Sequence, residues 1–248
     1  MMIQIKNLTK SFDGFKSLDG LFMNVKKGSI YALVGTNGAG KTTTLNHIAG
    51  IYKSDEGECT INNENSYDNK EVKKIIGYIP DELFFFNNYS IKNMKSFYKN
   101  MYKTWNEERY KELVLKLEIN EKKRIKTFSK GQKKQVAFAL IMSFMPQILI
   151  LDEPIDGLDP IVKKIIIDYI IEDVAARETT VIISSHNLKE MDTIADHIGI
   201  IKKGKMLIEG DLDEIRAGSN NNENLSLDEI FIEIYNKDEK NKEEAQNV

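Results

Sequence analysis

Four short apolar runs punctuate the chain: Ile30 to Val34, Ile75 to Ile79, Ile148 to Leu151 and Thr180 to Ile183. Each is rich in Ile, Val or Leu and does not alternate with polar residues. That is the pattern of a parallel strand covered on both faces. Helical patterns lie between them, so the runs predict a doubly wound, mostly parallel α/β core. The chain before Ile30 differs. Met2–Leu8 and Leu21–Gly28 read as antiparallel strands joined by a turn near Asp13-Gly14, forming a small β-subdomain against the core.

Residues 84–140 are expected to form an inserted helical subdomain. Tyr110, Leu113, Val114 and Leu117 stand at helical spacing. Asn106 is a candidate N-cap, followed by Glu107 and Glu108 where carboxylates favour the helix dipole. Trp105 and Tyr110 occupy the positions of a hydrophobic staple. Residues 1–235 read as one domain. Residues 236–248, NKDEKNKEEAQNV, read as a solvated, frayed tail without fixed structure.

Composition narrows the classes. Hydrophobic residues make up 41% and charged residues 29%, outside the disordered regime. Lys and Arg total 35 and Asp and Glu 38, so the net charge of -3 gives no global field toward nucleic acid or an anionic membrane. Cys59 stands alone, which excludes a disulfide-stapled scaffold and fits a reducing compartment. One Cys with His47, His186 and His197 offers no familiar zinc spacing. The N-terminus has no apolar core of signal-peptide length. The longest apolar stretch, Ala137 to Leu151, is broken by Ser143, Pro146 and Gln147, whereas a spanning helix needs about 20 apolar residues. The chain is therefore expected not to cross a bilayer by itself.

The run Ile30–Val34 leads into Gly35-Thr36-Asn37-Gly38-Ala39-Gly40-Lys41-Thr42 and Thr43. This is a G-x-x-x-x-G-K-[ST] phosphate loop in its proper strand–loop–helix context. Gly35, Gly38 and Gly40 let the backbone curl until successive N–H groups face a polyphosphate. The helix starting near Lys41 adds unpaired N–H groups and a positive dipole end. Lys41 can reach the β- and γ-phosphates, and the Thr42 hydroxyl can ligate Mg²⁺.

The run Ile148–Leu151 ends in Asp152 and Glu153. Ligands of an open parallel sheet sit at the carboxyl ends of its strands. Side chains alternate there, so the two acids point apart and can take different roles. Asp152 suits a magnesium ion, directly or through water, and Glu153 suits the polarisation of an attacking water.

These motifs, taken with three others, resemble the ATP-binding subunit of an ABC transporter. Phe128-Ser129-Lys130-Gly131-Gln132 is similar to the family's L-S-G-G-Q signature, with Phe for Leu and Lys for the first Gly. Asp156-Gly157-Leu158-Asp159 matches its D-loop, and Ser184-Ser185-His186 its switch histidine. Order and spacing fit from about residue 2 to residue 235. The resemblance implies a P-loop NTPase fold and two cassettes joined head to tail around ATP and Mg²⁺. A second copy of this chain is favoured over a different cassette as the partner.

In that reading Phe12 stacks on adenine. Ser129, Gly131 and Gln132 contact the γ-phosphate of ATP bound to the opposite protomer. Asp159 bridges the protomers, and His186 senses the γ-phosphate. Asp81 stands where the family usually has Gln, and a carboxylate there can also ligate Mg²⁺. An acid at this position resembles exporter-type cassettes of the bacitracin and multidrug kind. The aromatic run from Phe84 to Tyr89 lies where the family receives a helix of the membrane subunit, and core packing is the other reading of it. The resemblance thus implies an ATPase driving a separate transmembrane permease from the cytoplasmic face of the cell membrane, with no nucleic acid partner. The alternatives are a soluble ABC ATPase acting on nucleic acid or ribosomes, and a catalytically weak regulatory cassette.

Overall fold

The computed structural model describes residues 1–86, 89–218 and 225–246. Strands β1 (Ile3–Phe12) and β2 (Phe15–Val25) form an antiparallel hairpin. Its turn residues Asp13 and Gly14 both have positive φ, at 47° and 82°, which matches the twist of the flanking strands. Next come β3 (Ile30–Val34), α1 (Lys41–Ile48), β4 (Glu56–Ile61), β5 (Glu64–Asn65), α2 (Lys70–Ile75) and β6 (Ile76–Ile79). The helical lobe holds α3 (Ile91–Met101), α4 (Glu107–Lys116) and α5 (Lys130–Ser143). The chain continues with β7 (Ile148–Asp152), α6 (Pro160–Arg177), β8 (Thr180–Ser185) and α7 (Leu188–Met191). It closes with β9 (His197–Lys202), β10 (Lys205–Asp211), α8 (Leu212–Gly218) and α9 (Leu227–Gln246).

A 6-stranded sheet runs β10-β9-β3-β8-β7-β6, parallel except for the edge strand β10. A 4-stranded antiparallel sheet, β2-β1-β4-β5, covers one of its faces. The alternation of side chains along the central strands splits the core in two. Tyr31, Leu33, Ile148, Ile150 and Ile182 face the antiparallel sheet. Ala32, Val34, Leu149, Leu151, Val181 and Ile183 face the helices. Each fully buried Leu or Ile contributes about 1.5–3 kcal/mol. The fold is the α/β P-loop NTPase architecture expected, with the small sheet extended by the unforeseen β4 and β5. The run expected from Ile75 begins at Ile76, because Ile75 closes the last turn of α2.

The lobe follows its local signals. Asn106 caps α4, accepting from the N–H groups of Glu108 and Arg109 at 3.0 Å each. The Trp105 and Tyr110 rings meet at 5.3 Å. The lobe is fastened to α6 by Asp173, whose carboxylate takes Arg109 at 2.6 Å and Arg177 at 2.8 Å. Burial lifts the Asp173 carboxyl above its ordinary range, against the pull of both guanidinium groups.

The frayed tail needs correction. Helix α9 runs through residues 236–246, and only 247–248 of that segment lie outside the described residues. Leu227 and Ile230 are buried at its start. Further on, the buried ammonium of Lys202 sits 3.5 Å from the Tyr235 ring centroid and 2.8 Å from Asp238, and also pairs with Glu239. Two of the acids that read as solvated, Asp238 and Glu239, are counter-ions for a buried lysine on β9.

Candidate nucleotide-binding site

Strand register assembles the site. Val34 lies beside Ser185 across β3 and β8, and Asp152 beside Ser184 across β7 and β8. The residues leaving these strand ends, Gly35, Glu153 and His186, are therefore delivered to one edge of the sheet.

The phosphate loop enters α1 through Gly40, whose φ of 111° an L side chain rarely adopts. A Cβ on Gly35 would stand 2.4 Å from the carbonyl oxygen of Ile201. Among the described contacts no side chain caps α1, so its first N–H groups remain available to an anion. Lys41 is only 7% exposed, and its Nζ donates to the carbonyls of Gly35 at 2.8 Å and Thr36 at 3.4 Å. A cleft of ≈ 290 Å³ opens here, lined by residues 36–43 with Phe15, Ser17, Asp81, Asp152 and Glu153. Residues 36–43 comprise Thr36, Asn37, Gly38, Ala39, Gly40, Lys41, Thr42 and Thr43.

The two acids do diverge. Asp152 is 1% exposed; its Oδ1 accepts from the Ser184 hydroxyl, and its buried Oδ2 has no hydrogen-bond partner among the described residues. An orphaned carboxylate oxygen in the cleft that also exposes the Thr42 hydroxyl fits a hard divalent cation. Glu153 adopts φ 47°, unusual for a residue with a side chain. Its Oε2 lies 2.9 Å from His186 Nδ1 and accepts the His186 backbone N–H at 3.4 Å. Its Oε1 lies 3.7 Å from Lys41 Nζ.

The signature residues stand elsewhere. Ser129 and Gln132 form a capping box on α5, and Asp159 caps α6 through the N–H groups of Ile161 and Val162. Ser129, Gly131, Gln132 and Asp159 all line a second cavity, of ≈ 530 Å³, that shares no lining residue with the phosphate-loop cleft.

Two expected positions look different in three dimensions. Phe12 is 39% exposed and packs edge-on against Tyr52, at 5.4 Å, while its hairpin neighbour Phe15 is the ring that lines the cleft. Asp81 lines the cleft, but its Oδ1 is engaged by Lys130 at 3.0 Å and Lys134 at 3.5 Å. Burial resists ionisation of Asp81, and the two ammonium groups overcome it, so its carboxyl sits below the usual range. The aromatic run divides: Leu83 and Phe85 pack on the main core, whereas Phe84 is 84% exposed. Asn87 and Asn88 lie outside the described residues.

Sequence reasoning overlooked Phe15, Ser17 and Lys134. Phe15 and Ser17 follow the turn at Asp13-Gly14, and only the hairpin register brings them to the phosphate loop. Lys134 is hidden in the polar run that opens α5, where it is buried while Lys130 and Gln132 are exposed.

A glycine-lined anion cradle with an adjacent buried carboxylate defines a nucleoside-triphosphate-binding ATPase of the P-loop class. The ABC transporter family model matches residues 18–156, more than half of the chain. The bacitracin transport ATP-binding protein BcrA of Bacillus licheniformis is 36% identical over 218 residues, covering 87% of this chain and 71% of that protein. The solved ATP-binding subunit of an ABC transporter superposes with a TM-score of 0.86 at 26% identity, covering 95% of this chain and 100% of that one. A dimeric ATP-binding cassette in a post-hydrolysis state, bound to ADP and Pi, superposes with a TM-score of 0.74 at 25% identity, covering 85% of this chain and 99% of that one. The chain belongs to the ABC transporter family, as an ATP-binding and ATP-hydrolysing subunit.

Proposed function

We propose that this subunit hydrolyses ATP as a head-to-tail pair and drives a separate membrane-spanning permease, with transport directed outward. The observation that carries the pairing is the separation of the two cavities. The chain's own phosphate cleft holds the charged groups, and its signature cavity is an open anion-receiving surface formed at the starts of α5 and α6. A second cassette bringing its phosphate cleft to that surface gives the signature residues a phosphate to bind. A second copy of this chain is the simplest such partner.

In this reading the loop N–H groups and Lys41 hold the phosphate tail. Lys41 exchanges the carbonyls of Gly35 and Thr36 for phosphate oxygens as ATP enters. Thr42 and Asp152 would hold magnesium, which supplies charge neutralisation on the phosphates when bound. Asp81 serves first as counter-ion to two lysines. Glu153 accepts a proton from the attacking water, and His186 fixes the carboxylate through Oε2 and faces the γ-phosphate. Either Phe12 or its neighbour Phe15 stacks on the base. Ser129, Gly131 and Gln132 bind the partner's γ-phosphate, and Asp159 lies at the junction between protomers.

ATP is then part of the interface and favours the closed pair over the open one. Cleavage removes those contacts. Among the described residues no helix is long and apolar enough to cross a membrane. In this reading the coupling is to another polypeptide. Phe84 and Phe86, exposed beside a groove that Ile125 and Lys133 also line, offer that partner an aromatic surface. Outward transport is supported by the acid at Asp81 and by the similarity to a bacitracin transport ATP-binding protein.

Sedimentation of the Glu153→Gln chain tests the pairing. ATP with magnesium should convert monomer to dimer, and ADP should not. A monomer under both conditions, with ATP bound, would refute the head-to-tail arrangement.

A further inference from the structure

We propose that Lys134 is a positioning residue for ATP hydrolysis, one that holds the backbone of Glu153 and Asp156 and requires a carboxylate at position 81. Its side chain is 2% exposed. The ammonium donates to the carbonyl of Glu153 at 2.6 Å and to that of Asp156 at 3.2 Å, and stands 3.5 Å from Asp81 Oδ1. One buried cation thus touches the residue proposed as general base, the start of the D-loop and the wall of the phosphate cleft.

Three physical points support this. A buried ammonium has protons to satisfy and no acceptor capacity, and the two carbonyls and the carboxylate supply what it needs. Glu153 adopts φ 47°, a conformation that persists only where its surroundings over-determine it. Strand register fixes the N–H side of this residue, which donates to the carbonyl and hydroxyl of Ser184 at 3.2 Å each. Lys134 fixes the carbonyl side. The direction in which the Glu153 carboxylate points follows from both.

The carboxylate at 81 follows from the same ammonium. A neutral amide there would leave Lys134 buried without a counter-ion among its described contacts. Lys130 adds a second, exposed cation on the same Oδ1. The acid at 81 and the lysine at 130, two of the departures from the family motifs, therefore form one charge cluster with Lys134.

The inference rests on Glu153 as the general base, and its test separates the two. The experiment measures kcat, KM and ATP-binding stoichiometry on the full-length chain carrying Lys134→Met, Lys134→Gln or Asp81→Asn, and on the double variant Asp81→Asn/Lys134→Met. Lys134→Met should lower kcat by about 10–100-fold, the scale of a misplaced reacting group, with ATP affinity held within about twofold. Lys134→Gln, which keeps amide N–H donors for the carbonyls, should recover part of that loss. Asp81→Asn should lower kcat in the parent and add little in the Lys134→Met background.

An unchanged kcat in Lys134→Met overturns the proposal. Equal effects of Asp81→Asn in both backgrounds also overturn it. Loss of ATP-binding stoichiometry in both Lys134 variants would make the residue one for folding alone, and the positioning role would fall with it. Full turnover in Glu153→Gln would remove the general base instead. An inactive Glu153→Gln beside a fully active Lys134→Met would sink only the role of Lys134.

Discussion

The phosphate-loop cleft and the signature cavity are both built at helix N-termini, yet they are finished differently. In the cleft the decisive groups are withdrawn from water: Lys41 is 7% exposed and Asp152 1%. They are also poised against one another, Lys41 on its own loop carbonyls and Glu153 on His186. In the signature cavity, Ser129 and Gln132 satisfy each other's backbone, and Asp159 is committed to capping α6. Beside these helix starts the cavity is also lined by Lys116 and Glu118, and the carboxylate of Asp159 is already engaged. In the proposed pair, the first region binds a triphosphate and cleaves it, and the second receives the partner's phosphate. A single chain would then hold two halves of different sites.

Removing the base would break this comparison most sharply. Glu153→Gln should retain ATP binding and lose about 10²–10⁴-fold in kcat, the usual contribution of general-base catalysis. Steady-state phosphate release at saturating ATP measures it, and a parental rate would show that the cleft's chemistry lies elsewhere. Lys41→Ala acts on the same region but on binding. Loss of a hydrogen bond to a charged group costs about 1.5–3 kcal/mol, or about 10–150-fold in the Kd for ATP. Isothermal titration giving the parental Kd would contradict the placement of Lys41 on the phosphates.

Ser129→Ala sharpens the contrast from the other side. It removes a neutral donor and the cap of α5, each worth about 1 kcal/mol. Turnover of the paired cassette should fall by roughly fivefold per kcal/mol, while ATP affinity of the isolated chain stays parental. A weakened Kd in the monomer would place Ser129 in the chain's own cleft, against the separation of the cavities.

The cleft was more legible in sequence than the cavity, for a physical reason. Phosphate binding by backbone needs glycine at set positions, and a buried strand ending in Asp152 and Glu153 is conspicuous in a linear string. The helical lobe was legible at α4, where Asn106, Trp105 and Tyr110 act within one turn of each other. Long-range pairings left no local trace. Lys202 joins Asp238 across the chain, and the tail becomes a helix. Lys134 and Asp81 meet only because α5 lies against β6, so closely that a Cβ on Gly77 would stand 2.6 Å from Ile141. Beside the cleft, Phe15 is reached through β1–β2 register, a relation that motif spacing does not encode.

The smallest effect concerns the lobe that carries the signature cavity. At the start of α4, Glu107 takes Lys95, Lys99 and the Trp105 indole, and so ties α3 to α4. The Lys95 contact, opposed by partial burial and aided by Trp105 and Lys99, holds its carboxyl down to about 2. A folded-state value below the unfolded one stabilises the protein above the ordinary glutamate range. That contribution is lost as pH falls from there toward about 2. The pair is partly solvated, so the contribution is about 1 kcal/mol or less and shrinks with added salt. Urea unfolding at neutral pH should therefore show Glu107→Gln slightly less stable than the parent, with the gap closing on acidification. ATP affinity should not change, because Glu107 lines neither cavity. A gap that widens in acid would mean that Glu107 is protonated in the folded lobe, and the tie between α3 and α4 would then have to come from contacts such as Lys95 over the Tyr110 ring, 4.6 Å from its centroid.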